Sequence, residues 1–357
     1  MGNVREVTPS EAEQLIGAGA TLVDIRDAGE LLAGRARDAV HVPRCELGAR
    51  LPALLPDRAA ALLLICASGV RSRAAAAELA GAGYTSVASV AGGFERWRRE
   101  GRPITVPEGG GLERYARQLS LPEVGAAGQR RLAEARVLLV GAGGLGSPAA
   151  LYLAAAGVGR LTLLDDDRVE RSNLHRQVLH RDADVGTPKA RSGAATLLAL
   201  NPDVSVETRE ARLDAANAAG LLAGHDVVID GSDNFATRYA ANDACVALGI
   251  PCVHGSVFRF EGQVSVFWPA RPGSRGPCYR CLYPEPPPPE LAPSCAETGV
   301  LGVVPGVVGL LQAAEALKLL LGVGAPLVGR LLHYDALRGG FEEFDVAPDP
   351  RCVVCAR

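Results

Sequence analysis

Lysine is nearly missing from this chain: only Lys189 and Lys318 interrupt a basic complement otherwise made of 35 arginines. Basic excess is missing too, because 40 acids against 37 bases leave a formal charge of −3. Without a net positive field nothing displaces counterions from a phosphate backbone, so general nucleic-acid binding is excluded as a function class. A secretory leader is not expected, since residues 1–10 include Arg5 and Glu6 and no apolar core, and the chain is expected in the cytoplasm. No repeat of solenoid period occurs, and the one low-complexity piece is 285–290 with its four prolines. A membrane span is not expected either. The apolar run 300–321 contains Pro305, Gln312, Glu315 and Lys318, the pattern of a buried amphipathic helix in a large core.

What remains describes a globular protein, with 48% hydrophobic and 22% charged residues over 357 positions. That length predicts two domains. The proline and glycines of 107–111 read as a linker between a first domain, 1–106, and a second, 112–357. Short apolar runs at 21–25, 62–65 and 87–90, with an alanine-rich helix at 72–79, predict a small α/β domain with a parallel sheet. The second domain repeats the scheme on a larger scale. Strands are expected at 137–140, 161–164, 204–207, 227–230 and 252–254, and helices at 148–156, 189–200 and 237–248, which makes a doubly wound, Rossmann-like sheet. Ser147 reads as the N-cap of the first of these helices, Pro148 as its first turn and Gly157 as its C′ glycine.

The strand at 137–140 empties into Gly141, Ala142, Gly143, Gly144, Leu145 and Gly146. A strand, G-x-G-x-x-G and a helix together place backbone N–H groups against a phosphate, and both ATP and NAD satisfy that pattern. Asp165, nineteen residues after Gly146, suits a ribose in either case. The next turn favours ATP: Asn173, Arg176 and Lys189 add side-chain donors that a pyrophosphate held by backbone amides does not need, whereas a triphosphate attacked at its α-phosphorus does. In a chain of arginines, Lys189 suits a compact phosphate contact. Asp233, past the strand at 227–230, is the candidate for Mg²⁺ on the phosphates, or else the N-cap of the helix at 237–248.

Nine cysteines in a reducing compartment read as metal ligands or reactive thiols. Cys278 with Cys281, and Cys352 with Cys355, form two C-x-x-C knuckles, and four thiolates give a closed, structural Zn²⁺ site. Cys66 ends the strand at 62–65 and is followed by Ala67, Ser68, Gly69, Val70, Arg71 and Ser72. Loop amides, a helix N-terminus and Arg71 would favour a thiolate, or a persulfide anion, at Cys66. Cys295 lies in a glycine- and proline-flanked loop, the setting of an exposed thiol able to accept an acyl group. Cys45, Cys245 and Cys252 read as small core residues.

From about Leu112 onward the chain resembles the MoeB/ThiF family, the bacterial relatives of ubiquitin-activating enzymes, and the likeness includes Arg114 to Gln118. The resemblance implies adenylation of the C-terminal glycine of a small ubiquitin-like sulfur carrier ending in Gly-Gly, with release of pyrophosphate. It implies Asp165 on the ribose, Asn173, Arg176 and Lys189 on the phosphates, Asp233 on Mg²⁺ and zinc at the four cysteines. It also implies a homodimer in which Arg117 reaches ATP from the other subunit, and Cys295 as the second active cysteine of sulfur-transferring members. Over 4–104 the chain resembles a rhodanese domain, through Leu22 to Arg26, Ala39 to Pro43, the Cys66 loop and Ala91 to Trp97. It departs at Gly34-Arg35, where the family usually has a histidine after the glycine. In related proteins the rhodanese module usually follows the adenylating domain; here it precedes it.

The two resemblances together imply that Cys66 persulfide, loaded by a donor such as a cysteine desulfurase, converts the carrier adenylate to a thiocarboxylate. Cys295 would form a transient acyl or disulfide link. The competing readings are an NAD-dependent oxidoreductase and a non-catalytic docking scaffold. The Asn173, Arg176 and Lys189 cluster opposes the first; Asp233, Arg117, Cys66 and Cys295 together oppose the second.

Overall fold

The structure, a computed structural model, describes residues 4–105, 112–273, 275–287 and 299–356. The expected linker, 107–111, and Cys295 lie outside the described residues. The chain divides into two compact units, Met1–Ala126 and Ala127–Arg357. Residues 112–126, read above as the start of the second domain, thus group with the first unit. There the short helix Ala116–Leu119 packs so tightly on the turn Ala28–Ala33 that a Cβ on Gly29 would lie 2.7 Å from the Leu119 carbonyl oxygen.

The first unit is built on strands β1 (Arg5–Val7), β2 (Thr21–Asp24), β4 (Val40–His41), β5 (Leu62–Ile65) and β6 (Val87–Val90), all parallel, in the order β1-β6-β5-β2-β4. A small separate ladder pairs β3 (Arg35–Ala36) with β7 (Ile104–Thr105). Strand β5 is buried throughout because it lies mid-sheet with both faces covered, as an uninterrupted Leu-Leu-Leu-Ile run requires. Its side chains alternate between two cores. Leu63 and Ile65 join Leu22, Phe94 and Trp97 on one face, and Leu62 and Leu64 join Val23, Leu51 and Leu79 on the other.

The second unit holds β8 (Arg136–Val140), β9 (Arg160–Leu164), β10 (Ser205–Arg209), β11 (Val227–Asp230), β12 (Cys252–Phe258), β13 (Glu261–Phe267), β14 (Arg330–Asp335) and β15 (Gly340–Asp345). Their order is β10-β9-β8-β11-β12-β13-β14-β15. The first five strands are parallel, as expected of a doubly wound sheet. The last three extend it antiparallel, which the sequence reading did not anticipate. Strand β12 runs on past His254 to Phe258 and returns through Arg259 and Phe260. Arg259 adopts φ +55, a left-handed conformation usually left to Gly, Asn or Asp, so the hairpin lacks its ordinary sequence mark.

The helix Gly146–Ala156 begins one residue ahead of Ser147, so Ser147 is not its N-cap. Its hydroxyl donates instead to the Ala142 carbonyl at 3.3 Å. Gly157 does end that helix, at φ +83. The helix Val303–Leu321 is the one helix among the described residues long and apolar enough to cross a membrane, and 44% of it is buried within the protein. Gln312 fixes its depth by donating from Nε2 to the carbonyls of Asp230 (2.7 Å) and Val253 (3.0 Å). Gly309 permits its approach: a Cβ there would meet the Leu145 carbonyl oxygen at 2.3 Å.

Candidate active sites and metal centre

Strands β8, β9 and β11 end together, and the crevice past their carboxyl ends is where open α/β sheets bind ligands. A cavity of about 280 Å³ lies there, within the second unit. Of the residues expected at a nucleotide, Gly141, Gly143, Gly144, Asp165, Arg176, Lys189 and Asp233 line it. Gly146 and Asn173 do not. Gly146 opens the helix behind the loop, and a Cβ there would sit 1.9 Å from the Gly141 carbonyl oxygen. Asn173 acts on a neighbour, its Oδ1 accepting from Arg176 Nη2 at 2.7 Å.

Lys189 opens its helix but is not a solvated surface lysine. Its side chain is 6% exposed, and Nζ meets Asp167 Oδ2 at 2.7 Å. Asp165 accepts from the N–H groups of Ala142 (2.7 Å) and Asp167 (2.9 Å). Burial pushes its carboxyl above the usual value against the pull of Lys189. Asp233 had two readings, and here they separate. Asn234 caps the helix Phe235–Leu248, its Oδ1 accepting from Thr237 N–H at 3.0 Å. The Asp233 carboxylate is exposed to the cavity with no hydrogen-bond partner among the described residues, so it is free for a cation.

Gln177 and Arg238, which no motif in the sequence marks, also line the cavity. Gln177 Oε1 and Arg238 Nε are buried without a hydrogen-bond partner, a state that a ligand or water relieves. Behind the Asp233 turn, Asp230 accepts from Ser232 N–H (3.1 Å), Ser232 Oγ (2.6 Å) and His254 Nδ1 (2.8 Å). Burial pushes the Asp230 carboxyl up, but the hydrogen bond and charge of His254, the Arg238 charge and the Ser232 hydrogen bond together outweigh it and hold the group below its usual value; burial holds the His254 imidazole below its own. Arg117 is exposed on the helix Ala116–Leu119 of the first unit.

The four knuckle cysteines converge. Sγ of Cys278 is 3.6 Å from that of Cys352 and 3.9 Å from that of Cys281, which is 3.4 Å from that of Cys355. All four lie within 4.8 Å of one another. Tetrahedral Zn–S bonds of about 2.3 Å put ligand sulfurs roughly 3.8 Å apart, so the donor set fits zinc with no position left for a substrate. Burial raises the Cys352 thiol, yet the N–H groups of Cys355 and Val354 and the thiols of Cys278 and Cys355 together outweigh it and bring the group to about 7, whereas burial and the Cys281 thiol push Cys355 up to about 12. Cys245 and Cys252 are buried, as expected; Cys45 is exposed, because its 3₁₀ turn, Arg44–Glu46, lies on the surface with no buried residue.

In the first unit the Cys66 loop cups its sulfur with backbone N–H groups. Sγ of the buried Cys66 accepts from Gly69 N–H (3.2 Å), Ser72 N–H (3.3 Å) and Ser72 Oγ (3.3 Å). Gly93 supports the loop from behind: at φ +57, a Cβ would meet the Cys66 carbonyl oxygen at 2.3 Å. Arg71 stands at the loop but is already paired, Nη1 and Nη2 donating to Glu30 at 2.8 and 2.6 Å.

A nucleotide-type crevice on a mixed sheet, a four-thiolate centre and a separate cysteine loop define a two-part enzyme architecture. The ThiF family model matches residues 115–354 and the Rhodanese-like domain model residues 8–100. This chain belongs to the ThiF family and carries a rhodanese domain ahead of its ThiF domain. It is 58% identical to the SAMP-activating enzyme E1 of Haloferax volcanii over 68% of this chain and 88% of that one. It is likewise 58% identical to the sulfur carrier protein adenylyltransferase of Thermus thermophilus, over 68% and 90%. Adenylyltransferase and sulfurtransferase MOCS3 of Mus musculus is 53% identical over 68% of this chain and 52% of its own. Among solved structures, Escherichia coli MccB with ATP matches in fold, with TM-score 0.59 and 24% identity over 68% of this chain and 75% of that one.

Proposed function

We propose that this chain is an ATP-dependent adenylyltransferase and sulfurtransferase acting on a small ubiquitin-like sulfur carrier with a C-terminal Gly-Gly. The observation that carries the reading is the convergence of the glycine loop, Arg176, Lys189 and an unpartnered Asp233 on one cavity. Backbone N–H groups of 141–146 and the helix behind them receive phosphate, while Lys189 and Arg176 offset the charge that develops as the carrier carboxylate attacks the α-phosphorus. Asp165 takes the ribose. Asn173 acts by aiming Arg176. Asp233 would hold Mg²⁺, which supplies charge neutralisation on the phosphates. The carrier acyl-adenylate forms as pyrophosphate leaves.

Persulfide on Cys66 then attacks the activated carbonyl and AMP departs with its bonding pair; a thiolate next attacks the inner, Cys66 sulfur of the acyl disulfide, so that a new disulfide forms as the carrier thiocarboxylate leaves with the electron pair. Cys295 serves as the transient acyl or disulfide partner in this reading, and a cysteine desulfurase as the source of persulfide. The protein works as a homodimer whose partner subunit contributes Arg117 to ATP. Zinc held by Cys278, Cys281, Cys352 and Cys355 ties the C-terminal segment to the body of the unit. Domain limits of 1–106 and 112–357, joined by 107–111, accompany this division of labour.

The test separates the two halves. Asp233→Ala abolishes carrier-dependent ATP–pyrophosphate exchange, whereas Cys66→Ala keeps it and loses sulfur transfer. Equal exchange by wild type and Asp233→Ala refutes the role of Asp233.

A further inference from the structure

At the Cys66 loop the Arg71 guanidinium faces two carboxylates. Arg71 is the guanidinium at the loop, and Glu30 occupies it bidentately at 2.6 and 2.8 Å. Asp27 adds a second carboxylate 3.8 Å from Arg71 Nη1. Glu30 is not a loose surface acid that a ligand pushes aside. Its Oε2 also accepts the Asp27 N–H at 3.1 Å, and its backbone carbonyl accepts from Arg26 Nη1 at 3.2 Å. Arg26 is itself buried, with Nη2 on Asp24 at 2.7 Å and its guanidinium 4.0 Å from the centre of the Phe94 ring. The Glu30 side chain is 22% exposed and that of Asp27 68%. Burial raises the Glu30 carboxyl, but its hydrogen bonds with Arg71 and the Asp27 N–H and the charges of Arg71 and Arg26 together outweigh this and hold it below its usual value.

We propose that Glu30, seconded by Asp27, is a specificity determinant that closes the Cys66 loop to small dianionic sulfur donors by keeping Arg71 occupied. This rests on the sulfurtransferase reading of that loop. A dianion such as thiosulfate is favoured by an unpaired guanidinium beside its sulfonate oxygens, which leave as sulfite; here it meets two carboxylates and a neutralised arginine. An alkyl persulfide of low charge needs no such cation. The chemistry is the same for both: the Cys66 thiolate attacks the outer sulfur, its new S–S bond forms as the donor's S–S bond breaks, and sulfite or an alkyl thiolate leaves with the electron pair. Glu30 touches no reacting atom and acts through Arg71.

The test uses the full chain, cyanide as sulfur acceptor, and two donors: thiosulfate and the persulfide of cysteamine. Glu30→Gln keeps the side chain's size and removes its charge. It is expected to raise kcat/KM for thiosulfate roughly tenfold, chiefly through KM, while changing the persulfide value less than about twofold. The ratio of the two donors is the readout, and a purely structural role does not move it in this direction. The gain shrinks as salt rises. Asp27→Asn, at an exposed position, gives a smaller gain of about threefold and tests the proposal should Glu30→Gln fail to fold. If wild type uses the alkyl persulfide but neither variant gains on thiosulfate, the assignment of Glu30 is wrong and the sulfurtransferase reading stands. If the folded wild type accepts sulfur from neither donor, that reading falls and this proposal with it.

Discussion

Replacing Gly146 by alanine tests the glycine loop with the least chemistry changed. The added Cβ would sit 1.9 Å from the Gly141 carbonyl oxygen and 2.9 Å from its carbon. Both neighbours are backbone, so no side chain can swing away. To reach even 3.0 Å the helix start and the loop must part by about 1.1 Å, and forced overpacking of this kind costs about 1–3 kcal/mol of stability. Activity should suffer more. A displacement near 1 Å in groups that position a reacting phosphate costs roughly 10²-fold, about 2.7 kcal/mol at 1.36 kcal/mol per factor of ten. The assay is carrier-dependent ATP–pyrophosphate exchange, with thermal unfolding beside it and Gly220→Ala as control. Gly220 lies in the helix Ala218–Leu222 with nothing within 4 Å of a new Cβ, so alanine there is neutral or stabilising by up to about 1 kcal/mol. Exchange by Gly146→Ala within about threefold of wild type, with an unchanged KM for ATP, would refute the claim that this loop positions the phosphates.

Three further outcomes follow from the same geometry. Cys352→Ser, or prolonged chelation, should release one zinc per chain and lower the melting temperature; a wild-type melt without metal would show that the four sulfurs are not a folding ligand. Asn234→Ala removes the side-chain cap of the helix Phe235–Leu248 and should cost about 1 kcal/mol in urea unfolding, along with exchange activity, since the cap fixes the residue next to Asp233. Burial holds the His254 and His180 imidazoles below their usual values. The unfolded chain therefore takes up protons near pH 6.5 that the native chain refuses. The stability from these histidines is fully present above that pH and is lost as pH falls below it. Urea midpoints should drop between about pH 7 and about pH 5.5, less so in His254→Gln; a flat midpoint contradicts the assignment of a neutral His254.

Legibility in the sequence followed physical locality. Strand β5 and the Cys66 loop were readable because an apolar run, a cysteine and a helix N-terminus are contiguous. The crevice was readable because its parts hang on successive strand ends of a repeating β-α pattern. The antiparallel extension was not, since its first hairpin turns through Phe258, Arg259 and Phe260 without a glycine, asparagine or proline. The separation of Asp233 from Asn234 also needed coordinates: both side chains can cap a helix, and only the observed Asn234–Thr237 hydrogen bond tells them apart. Glu30 at Arg71, and the partnerless atoms of Gln177 and Arg238, are long-range or negative facts that no local pattern encodes.

An adenylating site and a persulfide loop that work in sequence leave their product on the carrier. The direct measurement is the intact mass of a Gly-Gly-ending carrier after incubation with the full chain, ATP, Mg²⁺ and a persulfide donor. The expected result is the mass gain for a terminal hydroxyl replaced by a thiol, absent without ATP and absent in Cys66→Ala. A carrier that keeps its carboxylate mass while the folded protein binds NAD and not ATP would contradict it.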